Sequence, residues 1–133
     1  MISKEELVAI AIEAREKSYS PYSNFAVGAA LACRDGSVYI GANIENSSYP
    51  LCMCAERNAL YNAMMDGKGS DDFIALAVVA DTEGPCSPCG ACRQVIHELY
   101  PHDAPIYLAN LSGAIMATNA TELLPFAFDG HDL

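Results

Sequence analysis

The chain has 133 residues, 52% of them hydrophobic and 18% charged. That is the size of one domain, apolar enough to bury a core and unlike any disordered or collagen-like chain. Seven basic residues against seventeen acidic ones leave a net charge of −10, which disfavours phosphate backbones and anionic lipid surfaces as partners.

Ser3 followed by Glu6 forms a capping-box pattern, and Leu7, Ile10, Ala11 and Ala14 recur at helical spacing, so a first helix is expected to fade near Ser18. The loop Ser20 to Asn24 follows. Two apolar runs, Ala26 to Cys33 and Val38 to Asn43, flank Asp35-Gly36 and read as an antiparallel hairpin. After a polar loop, Glu45 to Pro50, a helix is predicted over Cys54 to Met65 with Gly67 at its C-terminal cap. Phe73 to Ala80 is a near-continuous apolar run, as in a buried central strand. Beyond the loop Pro85 to Pro88, a helix over Cys89 to Tyr100 is stopped by Pro101. Ile106 to Ala109 and Ala114 to Thr118 read as antiparallel neighbours about Ser112-Gly113, followed by a helical turn over Thr121 to Leu124. This order predicts an α/β fold: a single domain spanning residues 1–133, built as a three-layer α/β/α sandwich with a mixed five-stranded sheet. No apolar run reaches the roughly 18 residues of a membrane span, and the N-terminal segment is acidic where a signal peptide is basic. A cytoplasmic protein with neither a membrane nor a nucleic-acid partner is expected.

Five of the six cysteines fall in two tight groups: Cys52 and Cys54, then Cys86, Cys89 and Cys92. In a reducing compartment this reads as metal or redox chemistry rather than disulfides. Cys54-Ala55-Glu56 opens one predicted helix and Pro88-Cys89-Gly90-Ala91-Cys92 the next. If the two helix N-termini meet at one edge of the sheet, three thiols converge where the helix dipoles favour thiolate, the form that binds zinc. Three protein ligands leave an open fourth position, the mark of a catalytic zinc. Glu56, two residues after Cys54, can stand beside the metal and take a proton from its water.

These residues resemble the signature of the zinc nucleobase deaminases. Tyr22 to Ala30 (YSNFAVGAA), Asn43-Ile44-Glu45-Asn46, Ser87 to Val95 (SPCGACRQV) and Glu122 to Pro125 (ELLP) narrow the resemblance to the small tetrameric cytidine deaminases, over about Tyr19 to Leu133. The resemblance implies hydrolytic deamination of cytidine and deoxycytidine to uridine and deoxyuridine, a step of pyrimidine salvage. Cys54, Cys89 and Cys92 would hold one Zn²⁺ per subunit, and Glu56 would shuttle protons from the zinc-activated water to ring N3 and the leaving amine. It also implies that Asn43 and Glu45 contact the sugar hydroxyls, Phe25 flanks the nucleoside, and Ala55 offers backbone contacts to the base. Tyr49 and Phe128 would reach a neighbouring subunit's pocket, in a homotetramer that completes each active site. Phe126 stands where the family has a small residue.

Other readings compete. Cys52, or Cys86, could be a fourth ligand of a structural zinc. Cys86, Cys89 and Cys92 spell the start of a ferredoxin motif, but Val95 and Ile96 stand where the next cysteine belongs. A redox pair at Cys89 and Cys92 leaves Cys54-Ala55-Glu56 unexplained. One or both of Arg57 and Arg93, each following a site residue, are expected to hydrogen-bond thiolates and offset the formal −1 charge of three thiolates on Zn²⁺. His97, His102 and His131 lie off ligand spacing and read as helix, loop and tail residues.

Overall fold

A computed structural model describes residues 1–133. Its elements are α1 (Lys4–Arg15), β1 (Val27–Cys33), β2 (Val38–Ala42), α2 (Ala55–Met65), β3 (Phe73–Ala80), α3 (Gly90–Leu99), β4 (Ile106–Asn110), β5 (Ile115–Thr118) and α4 (Ala120–Leu123). Short 3₁₀ turns lie at Tyr49–Leu51, Ser70–Asp72 and Gly130–Asp132. The strands form one sheet in the order β2-β1-β3-β4-β5. Only the β3–β4 pair, joined through α3, is parallel, so the sheet is mixed as expected.

Alternation along the strands sends side chains to two cores. Leu7, Val8 and Ala11 of α1 pack on Ala30, Ala32, Ala77, Val79 and Ala109. On the other face, Ala59, Leu60 and Ala63 of α2, Ile96 of α3 and Leu123 of α4 meet Leu31, Leu76, Val78 and Leu108. The three layers are therefore α1, the sheet, and α2 with α3 and α4. Each fully buried Leu or Ile here stabilises the fold by roughly 1.5–3 kcal/mol.

The predicted capping box holds: Ser3 Oγ accepts the Glu6 N–H, and the Glu6 carboxylate accepts the Ser3 N–H. Gly36 and Gly67 turn the chain with φ of +91° and +88°, where a side chain is strained. Boundaries shift by a residue for local reasons. The Ala26 carbonyl accepts from Arg15 Nε at 3.1 Å, so β1 begins at Val27. Asn119 Oδ1 accepts the Glu122 N–H, which starts α4 at Ala120, one residue ahead of expectation.

Two glycines set how closely the helices approach. A Cβ on Gly28 would lie 2.1 Å from the Ala11 carbonyl oxygen of α1, and one on Gly41 would lie 2.3 Å from that of Ala55 in α2. The α2 contact is reinforced on either side: Asn58 Nδ2 donates to the Ala42 carbonyl at 2.7 Å and Asn62 Nδ2 to that of Ile40 at 3.2 Å. The register aligns Val27, Ala42, Ala80 and Asn110 at one end of the sheet, because Val27 faces Ala80, Gly28 faces Ala42 and Ala80 faces Asn110. That end, where β2, β3 and β4 finish, carries the site. No helix is long and apolar enough to cross a membrane.

Candidate active site and metal centre

Cys54 and Cys89 are the N-cap residues of α2 and α3, both extended in backbone, and Cys92 lies in the first turn of α3. Because both helices lie on the same face and start at the same end of the sheet, their N-termini meet. The three sulfurs lie within 4.8 Å of one another. Cys54 Sγ is 3.7 Å from Cys89 Sγ, which is 3.2 Å from Cys92 Sγ. Zn–S bonds of about 2.3 Å in tetrahedral array place sulfurs nearly 4 Å apart, so this donor set fits a zinc ion with only sub-ångström adjustment. No disulfide is present. Neither Cys52 nor Cys86 joins the cluster. Cys52 Sγ instead accepts the Asn46 N–H at 3.3 Å and closes the loop before α2.

The Cys54 thiol is held below its ordinary range, first by a hydrogen bond from Cys92 and then by Arg57. Arg57 Nη2 donates to Cys54 Sγ and to the Cys52 carbonyl, both at 3.4 Å. Of the two candidate arginines, Arg57 alone reaches a thiol; Arg93 reaches none. Its Nε donates to the Pro88 carbonyl at 3.0 Å, Nη2 to Ser87 Oγ at 2.7 Å, and Nη1 to the Leu123 carbonyl at 2.9 Å. The side chain turns away from the sulfurs because it runs back along the loop that delivers Cys89. It thereby ties that loop to α4.

Glu56 is 3% exposed. Burial pushes its carboxyl above the usual carboxylate range, and the Cys54 charge adds to the shift. It faces a cavity of about 210 Å³ whose walls include Phe25, Asn43, Ala55, Cys86, Pro88 and Cys89. One end of this cavity thus presents the Cys54 and Cys89 thiols and the Glu56 carboxyl, while Phe25, Val27 and Val78 make other walls apolar. A flat, apolar ring with polar edges suits such a space.

Cys86 is buried in that wall, and burial raises its thiol to about 11. It is therefore an inert packing thiol in this setting. A second cavity of about 260 Å³ adjoins the first through Asn43 and Cys54 and is lined by Tyr22, Ser23, Glu45 and Tyr49. Asn43 braces the preceding loop: its Oδ1 accepts from Ser18 Oγ and the Val27 N–H, and its Nδ2 donates to the Phe25 carbonyl. Tyr49 is 74% exposed, and Phe128 is 59% exposed and lines neither cavity. Phe126 is wholly exposed with φ of +55°.

Two features were invisible in the sequence. Asn110, buried and fully satisfied, donates to the Thr82 and Glu83 carbonyls and accepts the Ser112 and Ala114 N–H groups. It locks the segment leading to Cys86, and no spacing pattern marks it. The three histidines gather around one polar cavity of about 350 Å³ beside Asp129, away from the sulfurs. His97 Nε2 lies 3.2 Å from Asp129 Oδ2. Gln94, from the same helix, donates to the Phe128 carbonyl at 2.8 Å.

A sulfur triad with an open face, a buried carboxyl beside it and a ring-sized cavity in front define a metal-assisted hydrolase acting on a small planar group. Residues 1–108 match the family model for the cytidine and deoxycytidylate deaminase zinc-binding region, and the chain belongs to that family. It is 57% identical over 129 residues to a cytidine deaminase of Sporosarcina psychrophila, covering 97% of this chain and 93% of the relative. Identity to a cytidine deaminase of Halalkalibacterium halodurans is 54% over 132 residues, covering 99% and 98%. The crystal structure of cytidine deaminase from Burkholderia pseudomallei superposes with a TM-score of 0.93 at 50% identity, covering 96% of this chain and 100% of that one.

Proposed function

We propose that this protein hydrolyses the 4-amino group of cytidine and deoxycytidine, releasing ammonia and uridine or deoxyuridine, in salvage of pyrimidine nucleosides. The observation that carries the reading is the buried Glu56 carboxyl sharing a cavity with the sulfur triad. Cys54, Cys89 and Cys92 would hold the zinc, which would supply Lewis acidity and make a water more acidic.

Glu56 then moves the protons. Burial raises its pKa above the usual carboxylate range, which suits a group that both accepts and returns a proton. It takes the proton of the attacking water and places it on ring N3, which makes C4 more electrophilic. It next carries the remaining proton of that water to the amine, which departs as ammonia. Phe25 packs beside the nucleoside, the Ala55 backbone meets the base edge, and Asn43 and Glu45 take the sugar hydroxyls in the adjoining cavity. Arg57 draws negative charge from Cys54 and so preserves the acidity of a centre with three thiolates. Arg93 acts on the same centre indirectly, by holding the Ser87–Pro88 loop.

Both cavities are open to solvent on one side. Tyr49, Phe126 and Phe128 project as large exposed aromatics, the surface expected where subunits meet. A homotetramer, with Tyr49 and Phe128 entering neighbouring pockets, closes the site. The free thiols suit a reducing cytoplasm.

The test is the loss of the cytidine absorbance band on adding the zinc-loaded protein, with Glu56→Ala alongside and zinc counted in both. Turnover by the wild type, and a variant that keeps zinc but loses at least about 100-fold in rate, support the assignment. Zinc-loaded wild type inert on both nucleosides overturns the substrate.

A further inference from the structure

Beyond the residues assigned above, the loop before β1 contains a small hydrogen-bonded device centred on one serine. The Glu45 carboxylate is fully engaged on one side by this loop. Its Oε1 accepts the backbone N–H of Tyr22 at 3.0 Å and of Ser23 at 3.1 Å, and its Oε2 accepts the Ser23 hydroxyl. The same hydroxyl oxygen accepts the Phe25 N–H at 3.0 Å. Between them Asn24 adopts φ of +56°, a left-handed turn that Asn tolerates better than most residues. It bends the chain so that Phe25 returns toward Ser23. One hydroxyl thus links the carboxylate at the sugar end of the site to the backbone of the aromatic wall.

A carboxylate has about four acceptor positions, and three are filled by this loop. The hydroxyl of Ser23 occupies one position on Oε2 and leaves the other unfilled, on a residue that lines the cavity. Neither backbone N–H can do this, since both address Oε1. The hydrogen bond from Ser23 is also the main reason the Glu45 carboxyl lies below its ordinary range. The cavity holds no lysine, arginine or second carboxylate to share that task; its other titratable groups are Tyr22, Tyr49, Cys52 and Cys54.

We propose that Ser23 is a positioning residue for nucleoside binding, orienting the free acceptor of Glu45 toward a sugar hydroxyl. This rests on the reading that Glu45 binds the sugar. Ser23 is exposed, so its substitution leaves the core untouched.

The experiment compares wild type, Ser23→Ala, Ser23→Thr, Glu45→Gln and the Ser23→Ala/Glu45→Gln double variant on cytidine and on 2′,3′-dideoxycytidine. Zinc content and thermal melts are read for each. Losing a hydrogen bond to a charged group raises KM for cytidine by about 10-fold or more in Ser23→Ala, with kcat changed far less. Ser23→Thr restores KM. The Ser23→Ala effect shrinks to within about threefold in the Glu45→Gln background and on the dideoxy substrate, as a coupled pair requires. An equal penalty on both substrates, or one that persists without the Glu45 charge, overturns the proposal and makes Ser23 a loop residue only. A Glu45→Gln protein with unchanged KM for cytidine overturns instead the reading of Glu45 on which it rests.

Discussion

Replacing Gly41 with alanine adds one methyl group and, by the packing described, displaces the element that carries half of the site. The added Cβ would meet the Ala55 carbonyl oxygen at 2.3 Å, the Ala59 nitrogen at 2.5 Å and the Asn58 carbonyl carbon at 3.1 Å. All three are backbone atoms of α2, so no side chain can rotate away. Ordinary contact begins near 3.4 Å, which requires α2 to retreat by about 1 Å, and overpacking of this kind costs roughly 1–3 kcal/mol. The retreat also stretches the 2.7 Å bond from Asn58 to the Ala42 carbonyl, adding about 1 kcal/mol. Cys54 caps α2 and Glu56 sits in its first turn, so both shift relative to Cys89 and Cys92 on α3. Misplacement of reacting groups by that distance costs up to about 100-fold in rate. The expected result is a melting temperature lower by roughly 10 °C, zinc bound more weakly, and kcat down at least 10-fold by the same geometric argument. Gly36→Ala is the control. Its Cβ meets nothing within 4 Å, although φ is +91°. It should lose about 1 kcal/mol of stability through backbone strain alone, with catalysis intact. A Gly41→Ala protein with wild-type melting and wild-type turnover would refute the close-approach argument.

Four further outcomes follow from individual contacts. Arg57→Ala should lower kcat or zinc affinity by about 10–100-fold, measured by steady-state kinetics and competition with a chelator; unchanged values in both would remove Arg57 from the metal's environment. Arg93→Lys should behave like Arg93→Ala, losing stability and weakening zinc retention, because three divergent hydrogen bonds need a guanidinium; full recovery by lysine would contradict this. Asp35→Asn should lower the urea midpoint at neutral pH, since Lys68 and Ser37 hold the Asp35 carboxyl well below its ordinary 3.8. Because folding depresses that pKa, the stabilisation is present above pH 3.8 and fades as the pH falls below it, so the two proteins should converge in acid and stay apart at pH 7. Cytidine monophosphate should be deaminated at least about 10-fold less efficiently than cytidine if, as we propose, the ionised Glu45 meets the sugar and so repels a nearby phosphate; equal efficiency would place the phosphate elsewhere.

Much of this protein is legible along the chain because its signals are local. Hydrophobic period, caps and turn glycines act over a few residues, so the strands and helices fall within one to three residues of expectation. The cysteine spacing is equally local: Cys89 and Cys92 are one helical turn apart and need only the α3 N-terminus to share a face. Cys54, 35 positions before Cys89, was assigned through the shape of a helix opening and through resemblance. Arg93 shows the limit of adjacency. It follows a candidate ligand directly, yet its side chain leaves the sulfurs for carbonyls on the loop and on α4, a partner 30 residues on.

The sequence by itself determined the element order, the sheet's mixed character and the residue types of the site, because each depends on near neighbours. Tertiary structure alone decided that β2, β3 and β4 end together, that two helix N-termini bring three sulfurs within 4.8 Å, and that Glu56 is buried deeply enough for its pKa to rise. It also decided the work of Gly41, Asn110 and Ser23, whose partners lie distant in sequence. Burial, close approach and hydrogen-bond partnership across elements are properties of packed surfaces, and no single segment of chain contains them.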